Sequence, residues 1–495
     1  MSINFNKKKY KKRYKYCDYL LLNDNPGIDR VLIPWLHVVR AHPVFLDRYV
    51  NIFSHSYLSF LQRTVKKIKS TIQLFHSLIM GPIEGNRYWY GNEGISSNVD
   101  ILFISHLTSI NFANDGDMYF GNIPEKLGNN GISSVVGLIN HTNTSSKNIE
   151  STINRKSSNP VEKIVFSRYI NSSKEMSFFR RLRKESRKLY VLSQSTNNIF
   201  LKRVCLAASK ESMSSSAVSS MRLFTQIEEL ISCVNPKAVV VTYEGHSWER
   251  GVFYAAKKIN KKILRIGYYH TAPFKYQHSI GINFGDEYMA DVILSSGVSS
   301  KNKLLKYKRL KGIPIEVLGS NSYQVPPVNI NRNIRKVCLV IPEGVVSECR
   351  VLFNFSLRCA IKMPEFIFIW RLHPLLEFKQ ILDKFFNKLP ENIILSVDSI
   401  ENDIERSSYV IYRGSSAIIR STSYGLKPFY VSLGEELTVD PLYKLGPERN
   451  IVENEDDFIK SISNGQDKDF SDKVVKFSSG ILSPIDISTI KKIIK

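Results

Sequence analysis

The stretch Ala238-Val239-Val240-Val241-Thr242-Tyr243-Glu244-Gly245 decides the fold class. Its near-continuous β-branched run suits a strand buried on both faces, the mark of a parallel sheet. Helix-spaced apolar positions follow from Trp248 to Lys258, and a further strand-like run, Ile263-Leu264-Arg265-Ile266-Gly267, comes after them. Strand, helix and strand in that order make a βαβ unit. An acid and a glycine then stand just beyond the carboxyl end of a strand, where open α/β sheets bind ligands.

The same texture extends in both directions. Upstream, Asp100–Ser105 and Ser134–Ile139 read as strands around a loop and helix at Asp117–Gly131. Residues 141–160 are rich in Asn, Ser and Thr and read as a loop, followed by a basic helical stretch over 173–188 and a helix around Met221–Cys233. Downstream, Lys336–Ile341, Phe366–Trp370, Asn392–Val397, Tyr409–Tyr412 and Pro428–Ser432 form a second series of strands. Between the series, Asn321–Asn333 carries Pro326-Pro327 and no helical periodicity, so it reads as a linker. The expected architecture is α/β, with Rossmann-like domains over 98–312 and 313–495 facing one another across a cleft.

Residues 1–97 differ in composition. Lys7, Lys8, Lys9, Lys11, Lys12, Arg13 and Lys15 are interleaved with Tyr10 and Tyr14. Between Val44 and Met80, Phe45, Val50, Phe53, Leu58, Leu61 and Val65 recur at helix-like spacing beside Lys66, Lys67 and Lys69. This predicts a basic, mainly helical extension able to rest on an anionic membrane surface, where each Lys or Arg contributes about 1 kcal/mol.

The chain has 495 residues, too many for one ordinary core. With 43% hydrophobic and 11% aromatic residues it is globular and not disordered. Its 69 Lys and Arg outnumber 45 Asp and Glu by 24, which favours phosphate-rich or otherwise anionic partners. The cations are spread along the chain without a recognition motif, so nucleic acid is not expected as the partner. Six scattered cysteines form no C-x-x-C pair, which argues against a structural zinc site and fits a reducing cytosol. No run of about 18 uncharged apolar residues is present, and no cleavable leader, so the expected location is cytoplasmic, peripheral at most to the inner face of the cell membrane.

Three short motifs carry the chemistry. Tyr243-Glu244-Gly245 offers a carboxylate at a strand end as general base, with His246 and Glu249 as alternative bases. Arg371-Leu372-His373-Pro374 holds a ring nitrogen at a helix entrance, where proline presets the first turn and Arg371 adds charge. Gly414-Ser415-Ser416 offers two hydroxyls and successive N–H groups for an anion, although serine at a helix start is also an ordinary cap. Glu343 in Pro342-Glu343-Gly344 and Gly319 in Gly319-Ser320-Asn321 are further candidates on the nucleotide side, either of which is equally a plain turn. His270, in Tyr268-Tyr269-His270, joins Gly245 and His246 as candidates on the acceptor side. There is no G-x-x-x-x-G-K-[ST], no G-x-G-x-x-G and no D-x-D cluster, so no cofactor is expected and the chemistry is expected to be metal-independent.

Together, Glu244-Gly245, His373-Pro374 and Ser415-Ser416 resemble the acid-glycine, His-Pro and Ser-Ser motifs of bacterial GT-B sialyltransferases and related enzymes of O-antigen or capsule biosynthesis. The resemblance covers under half of the chain. It implies a GT-B-like enzyme that inverts configuration, takes an acidic sugar of the sialic acid, nonulosonate or Kdo type from a CMP-sugar, and transfers it to a glycan or lipid-linked glycan. Glu244 would be the base, while His373, Ser415 and Ser416 would hold the donor phosphate. Two departures stand out. Tyr243 occupies the place of a second acid, and Arg420 lies where many GT-B enzymes carry a ribose-binding Glu, which the resemblance makes easier to reconcile with an anionic CMP-sugar than with a UDP- or GDP-sugar. A GT-B transferase using a UDP-sugar, a GDP-sugar or a CDP-polyol is the alternative, and a basic nucleic-acid-binding protein the more distant one.

Overall fold

A computed structural model describes residues 7–23, 26–38, 72, 75–80, 95–108, 116–142, 144–145, 148–149, 161–323, 335–373, 376–382, 389–434, 436–446, 449–463 and 468–494. Two parallel sheets organise the chain, the α/β arrangement with two Rossmann-like units that the sequence predicts. The first holds β1 (Ile101–Leu107), β2 (Ser134–Asn140), β3 (Glu162–Val165), β4 (Ala238–Thr242), β5 (Leu264–Tyr269), β6 (Val292–Ser295) and β7 (Ile315–Val317), in the order β3-β2-β1-β4-β5-β6-β7. The second holds β8 (Val337–Ile341), β9 (Ile367–Trp370), β10 (Ile393–Leu395), β11 (Tyr409–Tyr412), β12 (Lys427–Val431) and β13 (Asn450–Val452), in the order β10-β9-β8-β11-β12-β13. In each sheet the order reverses at one place, between β1 and β4 and between β8 and β11. Such switch points leave a crevice at the carboxyl edge.

The helices used below are α1 (Lys7–Leu22), α2 (Ser172–Ser195), α3 (Ile199–Glu211), α4 (Ser215–Val234), α5 (Ser247–Ile259), α6 (Val346–Lys362), α7 (Ala417–Ser423), α8 (Lys468–Ser479) and α9 (Ile487–Ile494). Both faces of each sheet are covered, which is why the central strands are mostly apolar. Val239 and Val241 join one core while Ala238 and Val240 join the opposite one. In the second sheet Cys338 and Val340 pack on one side and Leu339 and Ile341 on the other. Register follows from this double burial: Ile104 pairs with Val241, and Ile341 with Tyr412.

The boundary between the two units differs from residue 312. β7 lies beyond it yet pairs with β6, and α9 places Ile490 in a core of the first sheet, with Ile487, Ile493 and Ile494 packed against it. The returning chain is fixed by Ser320 N–H to Ser483 O at 2.9 Å and Asp486 N–H to Leu318 O at 2.8 Å. Physically, β7 is a three-residue edge strand with too little pattern to read, and α9 is amphipathic with no core of its own to cover in the second sheet.

The N-terminal extension also differs in part. α1 is built into the first unit, with Tyr10, Arg13, Cys17, Leu20 and Leu21 buried. Tyr14 stacks on His278 at 4.1 Å, and Arg13 donates to Trp35 O at 3.2 Å. Two residues of the basic run are thus core residues, while Lys7, Lys8, Lys11 and Lys15 remain exposed. The helix-like spacing from Phe45 to Val65 lies outside the described residues. Among those residues no helix is long and apolar enough to cross a membrane.

Candidate active site

The loop between β4 and α5 is organised by Glu249, which lies in the first turn of α5. Its Oε2 accepts the backbone N–H groups of Glu244, Gly245 and His246 at 3.0, 2.7 and 2.8 Å. Burial pushes this carboxyl up to about 7, Glu244 adding to the rise while His246 and the backbone donors oppose it. Fully enclosed and committed to three donors, Glu249 is an anchor of the loop and not an accessible base. Gly245 has φ +91°, and a Cβ there would stand 2.6 Å from the Ile280 nitrogen. Only glycine fits this left-handed, crowded position. The turn leaves Glu244 at the strand end with His246 Nε2 3.3 Å from its Oε2. Of the three candidate bases, Glu249 is enclosed, while Glu244 and His246 lie together at the strand end.

Two further histidines complete this edge. His106, at the end of β1, brings Nδ1 to 2.8 Å from Nε2 of His141, which follows β2. Its Nε2 lies 3.2 Å from Thr242 Oγ1, so the contact spans the first switch point from β1 to β4. Burial holds the His106 imidazole well below its usual value, and the neighbouring His141, His270 and His246 lower it further, against the opposing carboxylate of Glu244. Burial lowers His141 as well. Both rings are therefore neutral near pH 7, each able to donate and accept one hydrogen bond. His270, beyond β5, packs T-shaped against Tyr119, ring centroids 4.3 Å apart. Sequence reading missed His106 and His141 because the first strand was ended at Ser105; their shared position at adjacent strand ends was the available signal.

Beside the His106–His141 pair opens a pocket of about 410 Å³, walled by Asn140, Arg168, Gln226 and Trp248 among others. Trp248 presents its ring edge-on to His106 at 5.3 Å. A flat indole with amide, imidazole and hydroxyl groups around it suits a hydroxylated ring.

At the second switch point the loops after β8, β9 and β11 converge. A Cβ on Gly414 would lie 2.4 Å from Glu343 Oε1, and one on Gly344 would lie 2.9 Å from His373 Nδ1. Both glycines therefore make room for the side chains that cross them. Glu343 is buried, whereas His373 is partly open. Ser415 is partly buried and Ser416 exposed at the start of α7, where the Ser416 side chain makes no capping hydrogen bond. Ser416 is thus not the ordinary cap that its position suggested. Pro374 lies outside the described residues.

Behind these loops, the fully buried Arg413 ties them together. It donates to Glu348 at 2.5 Å, to both oxygens of Glu436 at 2.8 and 2.7 Å, and to Val431 O at 2.6 Å. Glu348 belongs to α6, which follows the Glu343–Gly344 loop, so one guanidinium fixes both sides of the crevice. The acids raise the Arg413 pKa despite its burial.

Three further sequence candidates have partners within the protein. Arg371 is committed to Asp403 Oδ2 at 2.8 Å and Asp398 O at 2.6 Å, so its charge serves the packing of its own domain. Gly319 has φ +94° and passes against the returning chain, where a Cβ would meet Pro484 O at 2.1 Å; it is a crossing point of two chain segments. Arg420 pairs with Glu401.

The two edges are drawn together by the loop after β5, whose Ala272 is buried in the same cluster as Ile341, Tyr412 and Ile418 of the second unit. Among the described residues no group of three His, Cys, Asp or Glu side chains is arranged to hold a metal ion.

The sequence matches no known family model and no curated protein. Solved structures with a similar course of the chain include a Staphylococcus aureus MnaA–UDP complex, with 10% identity over 79% of this chain and 94% of that one and a TM-score of 0.46. CalG4, the calicheamicin glycosyltransferase, has 10% identity over 80% and 97%, also at 0.46. Acinetobacter baumannii MurG has 9% identity over 80% and 99%, at 0.44.

Proposed function

We propose that this protein is a GT-B-like glycosyltransferase acting at the cytoplasmic face of the cell membrane in surface-polysaccharide assembly. The donor is a CMP-linked acidic sugar of the sialic acid, nonulosonate or Kdo type, and the acceptor a glycan or lipid-linked glycan. The observation that carries this reading is the pairing of two switch points, one bearing a carboxylate–histidine pair and the other a crevice of glycine, serine and histidine.

In this mechanism Glu244 takes the proton of an acceptor hydroxyl as that oxygen attacks the anomeric carbon, and the bond to the nucleotide phosphate breaks from the opposite face. His246 hydrogen-bonds Glu244 and orients it. His373 and the Gly414–Ser416 loop meet the charge developing on the departing phosphate, so no metal is required. The pocket beside Trp248 holds the acceptor ring. The CMP donor rests on the motif resemblance, and Arg420, the cation that set it apart from other donors, is paired with Glu401. The second reading is the same chemistry with a UDP- or GDP-sugar.

Thermal shift with CMP, UDP, GDP and CDP separates these readings. Stabilisation by CMP alone is expected, and stabilisation by UDP but not CMP would sink the donor assignment. Glu244→Gln is expected to lower transfer by about 10²–10⁴-fold, the usual range for loss of a general base. Unchanged transfer would remove Glu244 from the mechanism.

A further inference from the structure

The outer face of α2 carries Arg180, Arg183, Lys184 and Arg187, all exposed and spaced to lie on one side of the helix. The helix has two acids only, and both are turned inward. Glu175 pairs with Arg222 at 2.5 Å, and Glu185 with Arg30 at 2.5 Å, while Phe178, Leu182 and Leu189 pack on the body. The outer face therefore has no carboxylate of its own, and among the described residues none of the four cations has an acidic partner. Like charges three and four residues apart weaken an isolated helix, so this stripe favours an external anion.

A second, apolar feature adjoins it. Ser77 Oγ accepts from Arg222 at 2.6 Å, and Leu78 O accepts from Ser172 Oγ at 3.3 Å, which pins the helical residues 75–80 beside the first turn of α2. The neighbouring Ile72, Phe75 and Ile79 are 61%, 61% and 59% exposed. Val191, further along the cationic face, is 64% exposed. A nucleic acid would use the cations and leave these side chains in water. A bilayer with anionic headgroups accommodates both, the cations at the phosphates and the apolar groups at the acyl boundary.

We propose that the outer face of α2, with the adjoining Ile72, Phe75 and Ile79, is a docking surface for anionic lipid. This places the membrane contact on α2 and not on α1, whose Tyr10 and Arg13 are part of the core. The proposal does not rest on the nucleotide-sugar reading, and its test uses no activity.

The full chain is sedimented with phosphatidylcholine vesicles, with and without phosphatidylglycerol. Wild type is expected to pellet only with the anionic vesicles and to be released by salt. Arg180→Gln/Arg183→Gln/Lys184→Gln/Arg187→Gln should weaken the partition by about 600-fold, at about fivefold per cation. Ile72→Ser/Phe75→Ser/Ile79→Ser should weaken it as well. The matching change at Lys7, Lys8, Lys11 and Lys15 should have the smaller effect. Thermal melts confirm that each variant is folded; if the quadruple variant is not, the Arg183→Gln/Arg187→Gln pair should still show about a 25-fold loss. Equal binding to both vesicle types, an unchanged partition in the α2 variants, or a greater loss from the α1 set would overturn the proposal. So would a single-stranded RNA that displaces the protein from the vesicles through the same four residues, which would make this a nucleic-acid surface.

Discussion

Replacing Glu249 separates anchoring from catalysis. Glu249→Ala removes the acceptor of three N–H groups, the buried ones of Glu244 and Gly245 and the partly buried one of His246. A buried donor left without a partner costs about 1–3 kcal/mol, so the loss is expected at about 3–6 kcal/mol after some water entry. Glu249→Gln behaves differently. Its amide oxygen can occupy the place of Oε2 and keep all three donors, and the change removes a carboxylate that burial already disfavours. The Gln variant is therefore expected to be at least as stable as wild type near neutral pH. Urea unfolding followed by tryptophan fluorescence measures both, with Trp248 in the first turn of the same helix as reporter. An Ala variant within about 1 kcal/mol of wild type, or a Gln variant as damaged as the Ala one, would refute the anchoring role. Retention of transfer by Glu249→Gln and its loss in Glu244→Gln would together assign the base.

Other consequences are open to measurement. Arg413→Met strands the carboxylates of Glu348 and Glu436, and should cost about 3–5 kcal/mol in urea unfolding, partly recovered when both acids are also neutralised. Glu249 also makes stability depend on pH. Its folded pKa of about 7 lies above the ordinary 4.5, so its contribution is fully present below 4.5 and is lost as pH rises through 7. Wild type measured against Glu249→Gln should thus become relatively less stable between about pH 5 and about pH 8, and a difference independent of pH would contradict the burial argument.

The sequence determined the sheets locally. Strands β1, β2, β4, β5, β8, β9, β11 and β12 were legible because burial on both faces makes their runs mostly apolar, and the edge strand β10 because it lies in the longer apolar run Asn392–Val397. Strands β3, β6, β7 and β13, three or four residues each and all but β6 at a sheet edge, were not read. Motif positions after strands were legible for the same reason, since a strand end is a local property. The order of the strands is not local: it depends on which crossovers pack, and no single stretch records it.

Only the tertiary structure showed that Glu343 crosses Gly414, that His373 crosses Gly344, and that His106 reaches Thr242 across the first switch point. It also reassigned residues whose types alone suggested a ligand. Arg371, Arg420 and Glu249 carry charges that the sequence offered to a substrate, and each is satisfied by partners within the protein. Residue type fixes what a side chain is able to bind. Which partner it has is decided by neighbours distant in the chain, because a charge that loses water on folding must find a counterpart where the fold places one.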